Sequence, residues 1–309
     1  MPGQSKGVII IEFKALAKED KPILDAFFRA RYYENSHFNF TNLYMWRNPY
    51  HIMWAVADGV LYFRAEWQGE LFALQPFGPE EKMEAAVSRL LAWFAEIGKP
   101  FAISGIERSF AQVLESYTGA EFQVESDRKN SDYVYRSEDL IQLAGRKFHS
   151  KKNHLNSFRK NYAEAEYLPI TDEIVTQCKL NINGWYKLRA QEQPDDPFMA
   201  AEREAIIEVL NNFQDFGLKG GALLVDKRVV AFTFGEQLNS DTAVIHVEKA
   251  DPEVRGAYPA INQAFVAHAW ADMTYINREE DMGLEGLRKA KESYRPVKMI
   301  EKFTASLKG

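Results

Sequence analysis

Apolar positions along this chain fall into runs of two periods, and the order of those runs is read twice. Behind Pro22, which a first helical turn tolerates, Ile23, Leu24, Phe27, Phe28 and Tyr32 recur at helical spacing. Ser36 is placed to cap a second helix carrying Phe40, Leu43, Tyr44 and Trp46. Residues 50–57 and 60–66 then form two short apolar runs separated by Asp58-Gly59, a hairpin signal, and residues 71–75 make a third strand. Pro79, Glu80 and Glu81 open a helix striped by Met83, Val87, Leu90, Phe94 and Ile97, and Gly98 with Pro100 closes it. A buried strand over 101–106, a helix through Phe110, Val113, Leu114 and Tyr117, and a strand over 121–124 complete the first run, with an extra strand predicted over 133–136.

The second run repeats this order. Ile174, Cys178, Ile182 and Trp185 form one helical stripe; Ile206, Leu210 and Phe213 form the next, closed by Gly217. Strands follow over 221–225, 229–236 and 243–249, the first pair turning through Asp226-Lys227-Arg228. Pro259 opens a helix through Phe265 and Ala269, residues 274–277 read as a short strand, and 283–294 as a helix stopped by Pro296. Residues 297–306 are predicted as one last strand. Hairpins followed by a strand that a helix returns to the same sheet imply mixed pairing, and hence an α+β protein of two mixed sheets flanked by helices. The predicted domains are 1–140 and 141–309.

With 309 residues, 46% of them hydrophobic, the chain can bury two cores. One cysteine, Cys178, excludes an intramolecular disulfide framework and cysteine zinc clusters; on its helical stripe it reads as a buried apolar residue. No apolar run reaches the length of a membrane span, and the first residues lack a signal peptide's apolar region, so a soluble, cytoplasmic protein is expected. A net charge of −6 argues against a general nucleic-acid binder.

One segment departs from that acidic balance. Residues 145–162 contain no acid but carry Arg146, Lys147, Lys151, Lys152, Arg159 and Lys160, with His149 and His154. Phe148, Leu155, Phe158 and Tyr162 give this segment one apolar face at helical spacing. Two readings stand: a solvated helix joining the domains, or a phosphate site for a large anionic partner such as tRNA, a nucleotide cofactor or a lipid head group, held by Lys147, Lys151, Lys152 and Arg159.

This basic segment, the Ser36-His37-Phe38-Asn39-Phe40-Thr41-Asn42-Leu43-Tyr44-Met45-Trp46 stretch and the Gly286-Leu-Arg288-Lys-Ala-Lys291-Glu-Ser-Tyr294-Arg-Pro296 pattern together resemble one bacterial family. It is the group of proteins similar to the C-terminal domain of phosphatidylglycerol lysyltransferases, whose own pattern is Leu-Arg-x-x-Lys-x-x-Phe-x-Pro. The resemblance covers nearly the whole chain. It implies two tandem GNAT-like (acyl-CoA N-acyltransferase-type) domains, as in Fem peptidyltransferases, and an aminoacyl group moved from charged tRNA to an amine or hydroxyl of a small-molecule or peptide acceptor. The lipid acceptor does not carry over, because the relatives that use it also have a membrane region. Fold alone does not give the reaction.

A coenzyme-A-dependent domain of this type cradles pyrophosphate on a glycine-rich turn at a helix N-terminus. The stretch in that place, Arg255-Gly256-Ala257-Tyr258-Pro259-Ala260, has a tyrosine and an alanine where two glycines are expected, and Pro259 offers no N–H. Arg255 stays compatible with an anion, and an ordinary turn is the plain alternative. Coenzyme A is therefore a doubtful cofactor and no metal is expected. The matching stretch in the first half, residues 75–79, is a plain turn, which makes that half structural or acceptor-binding.

Acyl transfer needs a neutral nucleophile, help for the developing oxyanion and a proton for the leaving group. In such folds the acyl carbonyl sits where two parallel strands splay, here 243–249 and 274–277, near His246, Glu248, Asn277 and Asp281. Alternation puts His246 and Glu248 on one strand face, and Glu248 is the candidate to bind or deprotonate an amine. Its plain alternative is a surface ion pair with Lys249 or Arg255, and that of His246 is a satisfied half-buried histidine rather than a base. Arg288, Lys291 and Tyr294, each three apart, share a helix face and are expected to line the pocket opposite Glu248, with Tyr294 as proton donor. Asp281 is placed to cap that helix. Against transfer stand two other classes: a tRNA-binding module without catalysis, and a small-molecule sensor or scaffold on a degenerate transferase fold.

Overall fold

A computed structural model describes residues 11–192 and 197–308. The chain divides into two compact units, residues 1–130 with 301–309, and residues 131–300. Only the second is continuous in sequence.

The first unit contains β1 (Lys14–Ala15), α1 (Lys21–Arg29), α2 (Phe40–Trp46), β2 (Met53–Ala57), β3 (Val60–Trp67), β4 (Glu70–Leu74), α3 (Met83–Glu96), β5 (Ala102–Ile106), α4 (Arg108–Ser116) and β6 (Phe122–Ser126). The second contains β7 (Asp132–Arg136), α5 (Ser137–Gln142), α6 (His149–Asn161), β8 (Glu166–Pro169), α7 (Asp172–Glu192), α8 (Pro197–Asn211), β9 (Lys219–Val225), β10 (Arg228–Gln237), β11 (Thr242–Ala250), α9 (Ala257–Ala269), β12 (Tyr275–Asn277), α10 (Glu285–Glu292) and β13 (Lys298–Ile300). The last strand, β14 (Phe303–Leu307), belongs to the first unit.

Each unit is built on a seven-stranded mixed sheet, in the orders β1-β2-β3-β4-β5-β14-β6 and β13-β7-β12-β11-β10-β9-β8. The shared plan is an antiparallel meander, β2-β3-β4 or β9-β10-β11, followed by one parallel partner, β5 or β12. Beyond that partner lies one antiparallel strand and then another. This is the tandem GNAT-like arrangement the sequence implies. Asp58 and Gly59 both take positive φ, as a two-residue hairpin turn requires, and Asp226 with Lys227 turns the second meander in the same way.

Three expectations are corrected. Residues 133–136 do not extend the first sheet: β7 lies between β12 and β13 of the second. The run 297–306 is two strands in two sheets, broken at Glu301-Lys302, with β14 inserted between β5 and β6. Ser36 does not cap α2; Asn39 does, its side-chain oxygen accepting the Asn42 N–H at 2.8 Å. The two compact units meet at 130/131, and the first also takes β14 from beyond residue 300. A lone apolar strand fits either sheet by pattern, so periodicity could not assign it.

The first core packs Val87, Leu90 and Phe94 of α3 and Phe110 of α4 on Ile103, Ile106 and Phe303. The second packs Phe148, Leu155 and Phe158 of the basic segment with Ile261 and Phe265 of α9 over Tyr133, Tyr135 and Ile276. The apolar face of α6 is thus a core face, which fixes where its cations can go. No helix among the described residues is long and apolar enough to cross a membrane.

Deletion of residues 301–309 should leave β5 and β6 without the strand that joins them. Hydrogen exchange at Ile103–Ile106 amides is expected to lose its protection while β9–β11 amides keep theirs. Equal protection in both sheets would show that β14 is dispensable.

Candidate functional site

The parallel pair in the second sheet is short by construction. β11 and β12 are in register from Thr242 opposite Tyr275 to Val244 opposite Asn277, where β12 ends while β11 runs on to Ala250. Just past that point β11 bulges. Ile245 pairs with Gly235 and Val247 with Phe234, so His246 is left out of the ladder. Gly235 is required there, since a Cβ on it would lie 2.0 Å from the Val244 carbonyl oxygen. The bulge breaks the alternation that places His246 beside Glu248. Glu248 turns to α9, whereas His246 sits inaccessible between two carboxylates, Nδ1 2.9 Å from Glu279 and Nε2 3.1 Å from Glu236. Burial alone would lower the His246 pKa, but the two carboxylates outweigh it and raise it to about 9. His246 is a charged structural clamp here, contrary to its expected place among the substrate ligands.

Glu248 sits across the divergence and takes a hydrogen bond on each oxygen. Arg278 Nη2 donates to Oε1 at 2.9 Å, and Asn262 Nδ2 donates to Oε2 at 2.9 Å. Arg278 is the residue that immediately follows β12. Its guanidinium carbon lies 4.8 Å from the ring centroid of Tyr294 and 5.7 Å from that of Tyr135. Lys151, from α6, places Nζ 4.3 Å from the Tyr294 ring centroid. Five residues therefore meet: Glu248 of β11, Asn262 of α9, Lys151 of α6, Arg278 just past β12 and Tyr294 just past α10. Burial raises the pKa of the Tyr294 phenol, with Arg278 opposing it, so the hydroxyl keeps its proton. Burial, with Arg278 nearby, lowers that of Lys151, with Glu248 opposing. Two atoms of the cluster are shut off from solvent with no hydrogen-bond partner among the described residues: Arg278 Nη1 and Asn262 Oδ1.

The predicted cation stripe of α10 divides. Tyr294 joins Glu248 and Arg278, as just described. Lys291 is buried and donates instead to three backbone carbonyls, of Arg278, of Glu279 at 3.1 Å and of Glu280 at 2.6 Å, and burial lowers its pKa to about 8. Arg288 turns back on Asp281, with Nε 2.8 Å from Oδ2 and Nη2 3.1 Å from Oδ1. Asp281 also accepts from the Tyr133 hydroxyl at 2.6 Å and the Gly283 N–H at 2.9 Å. Burial would raise this carboxyl; Arg288, Tyr133 and Gly283 together hold it well below the usual range. Asp281 does not cap α10 with its side chain, and Leu284 is the N-cap residue. Asn277 donates to Asp132 at 3.0 Å and accepts the Glu279 N–H at 2.8 Å. Arg288, Lys291, Asp281 and Asn277 therefore build the 277–283 turn that carries Arg278, rather than facing Glu248.

The basic segment divides as well. Lys147 pairs with Asp139 at 3.0 Å, Lys152 is exposed, and Arg159 reaches Gln263 at 3.3 Å. Lys151 turns inward. It also lines a groove of about 510 Å³ with His154, Asp251, Arg255, Gly256 and Tyr258, at the N-terminus of α9. Gly256 has φ 86°, and a Cβ there would lie 2.5 Å from the His154 carbonyl oxygen, so this glycine serves the close approach of α6 to α9. Lys151 belongs to both places and marks where the groove meets the buried cluster.

In the first unit the corresponding parallel pair, β4 and β5, opens onto side chains that bond to nearby backbone groups. The Glu107 N–H donates to Gln75 Oε1 at 2.9 Å, and Asn35 Nδ2 donates to the Gly105 carbonyl at 2.8 Å. Lys302, just before β14, is buried against Ser36 Oγ at 3.1 Å and His37 Nε2 at 2.9 Å.

Arg278 is the site residue that the sequence reading missed. Its signal was a single cation directly after a buried strand and before Glu279-Glu280-Asp281, a place where an arginine must choose a carboxylate.

Residues 29–306 match the family model described as phosphatidylglycerol lysyltransferase, C-terminal. A conserved protein of unknown function from Bacteroides thetaiotaomicron VPI-5482 is 37% identical, with a TM-score of 0.90 over 97% of this chain and 100% of that one. The structure of L-PGS from Bacillus licheniformis superposes with a TM-score of 0.68 over 94% of this chain and 92% of that one, at 14% identity, a likeness of fold. An uncharacterized protein of Mycoplasmoides gallisepticum is 26% identical over 177 residues, which are 56% of this chain and 55% of that protein, so the chain spans about half the length of this curated relative.

Because His246 is charged more readily in the folded chain than in the unfolded one, where its pKa is about 6.5, it stabilises the fold fully below that pH. The contribution is lost as pH rises through about 9. His246→Gln should lower the melting temperature at pH 6 and flatten its fall between pH 6 and 10. A variant whose melting temperature tracks the parent at every pH would deny the charged clamp.

Proposed function

The chain belongs to the phosphatidylglycerol lysyltransferase C-terminal family, and we propose that its second unit is an acyltransferase site that moves an aminoacyl group from an anionic carrier to an amine or hydroxyl. One observation carries this reading: Lys151 joins a cation-lined groove at the α9 N-terminus to a buried Tyr294 at the divergence of two parallel strands. The groove offers Lys151, His154 and Arg255 to the phosphates of a carrier. The 3′ end of an aminoacyl-tRNA is the carrier assigned. Coenzyme A is the other source of the same chemistry, and the position of Gly256, used in packing α6, argues for the first. Lys152 on the exposed side of α6 extends the basic surface that such a carrier would follow.

In the reaction the acceptor nitrogen or oxygen forms a bond to the acyl carbon, and the ester bond to the carrier oxygen breaks. Tyr294 gives its proton to that leaving oxygen and recovers one from the attacking atom, so the protein ends unchanged. Its raised pKa suits it to hold the proton until transfer. Glu248 keeps Arg278 in place beside the ring, and Lys291 with the Arg288–Asp281 pair keeps the turn beneath it. The first unit, whose own strand mouth is filled by Gln75, Glu107 and Asn35, takes no part in the chemistry on this reading.

The full chain, incubated with labelled aminoacyl-tRNAs and with acyl-CoAs, should retain the former. Tyr294→Phe should lower turnover by about 10²-fold or more while melting normally. Arg255→Gln should weaken tRNA retention and reduce its salt slope by about one unit. Retention of acyl-CoA alone would reassign the carrier. Full turnover by the phenylalanine variant would return Tyr294 to a packing role.

A further inference from the structure

Glu248 is flanked by two orphans of opposite kind. On one side Arg278, whose guanidinium also interacts with the Tyr294 hydroxyl, has an Nη1 without an acceptor among the described residues; on the other Asn262 has an Oδ1 without a donor among them. Each residue is held to the same carboxylate by its other nitrogen, at 2.9 Å in both cases. The amide orientation of Asn262 is fixed by that contact, because only its nitrogen can donate to Glu248. Unpaired buried groups cost free energy, and two of them beside one carboxylate call for a partner. Lys151, on a flexible stem, lays its ammonium on the Tyr294 ring 4.3 Å from the centroid, while its other surroundings are the groove.

We propose that this cluster is a pocket for a free amino acid, the acceptor of the transfer, and that the Lys151 ammonium occupies it in the amino acid's absence. The carboxylate of the ligand accepts from Arg278 Nη1. Its amine donates to Asn262 Oδ1 and lies beside Glu248. A zwitterion with adjacent opposite charges matches a guanidinium and a carboxylate that are already paired, and leaves no net charge behind. A simple amine leaves Arg278 Nη1 unpaired, and a simple acid leaves Asn262 Oδ1 unpaired. Entry requires Lys151 to swing toward the groove, where it faces a carrier's phosphates. Loading of the carrier and opening of the acceptor pocket are then one movement of one side chain.

The assignment to an acceptor rests on the transferase reading above, but binding is measured without any carrier. Calorimetry with the full chain, a panel of free amino acids, their N-acetyl derivatives and their carboxamides separates the cases. A free amino acid is expected to bind, with the N-acetyl and carboxamide forms each at least tenfold weaker. Lys151→Met, a change on a half-exposed helix position, should tighten that binding about tenfold by removing the competitor. Asn262→Leu should weaken it tenfold or more, with its melting temperature recorded alongside. Equal binding of acid and carboxamide would mean that the pocket takes the donor's aminoacyl ester, and overturns the acceptor assignment. No binding of any amino acid to the parent or to the Lys151→Met chain overturns the pocket itself. Binding as expected without any transfer would leave the pocket standing and remove the transferase reading alone.

Discussion

A single close approach sets the geometry of the second unit. At Gly235 the neighbouring strand comes so near that any side chain would strike the Val244 carbonyl. The extra residue opposite, His246, cannot join the ladder, and β11 bends away from β12 there. Everything polar in this half follows from that bend. Past the bulge the strand faces change over, so Glu248 points to α9 and not to the clamp of Glu236 and Glu279 around His246. Because β12 stops at Asn277, its next residue is free to reach across the gap, and that residue is Arg278.

An arginine in such a gap is useful only if its backbone is held. The 277–283 turn includes positive φ at Glu279, Met282 and Gly283, conformations that side chains resist. Lys291 gathers three of its carbonyls, and Arg288 locks Asp281 from the other side. The Arg-x-x-Lys-x-x-Tyr spacing thus reads as a scaffold with one working member. Two cations fasten the turn, and the third residue, Tyr294, meets the guanidinium that the turn presents. Arg288 and Lys291 share a face of α10, and Tyr294 follows just past its end, where the chain reaches the sheet.

Elements whose identity is written in local chemistry were legible in the sequence. Asp58-Gly59 predicts its hairpin, the Met83 to Phe94 stripe predicts α3, and the short strand over 274–277 was found at the right place beside β11. What failed were the features that depend on a partner's position. Alternation predicts that His246 and Glu248 share a face, and it fails because one residue is left out between them. The warning was Gly235, a glycine inside an apolar strand, which commonly marks a bulge or a close backbone approach. Helical spacing groups Arg288, Lys291 and Tyr294, but α10 ends at Glu292 and the three touch different partners, since spacing does not say what a residue touches. Strands β7 and β14 were found too, each in the wrong sheet, because a strand's pattern carries no address.

The placement of β14 bears on how the chain comes into being. Its slot lies inside the first sheet, between β5 and β6, and its residues are made only after the whole second unit. At roughly 5–20 residues per second of synthesis, β5 and β6 would stand with facing edges unpaired for about ten seconds or more after they emerge. The second unit has no such wait for its own inserted strand, since β7 precedes the rest of it. The later half of the chain would then mature first, against the direction of translation. The earlier half would need its open edges shielded on the ribosome, and factors that hold nascent chains are where that shielding would come from.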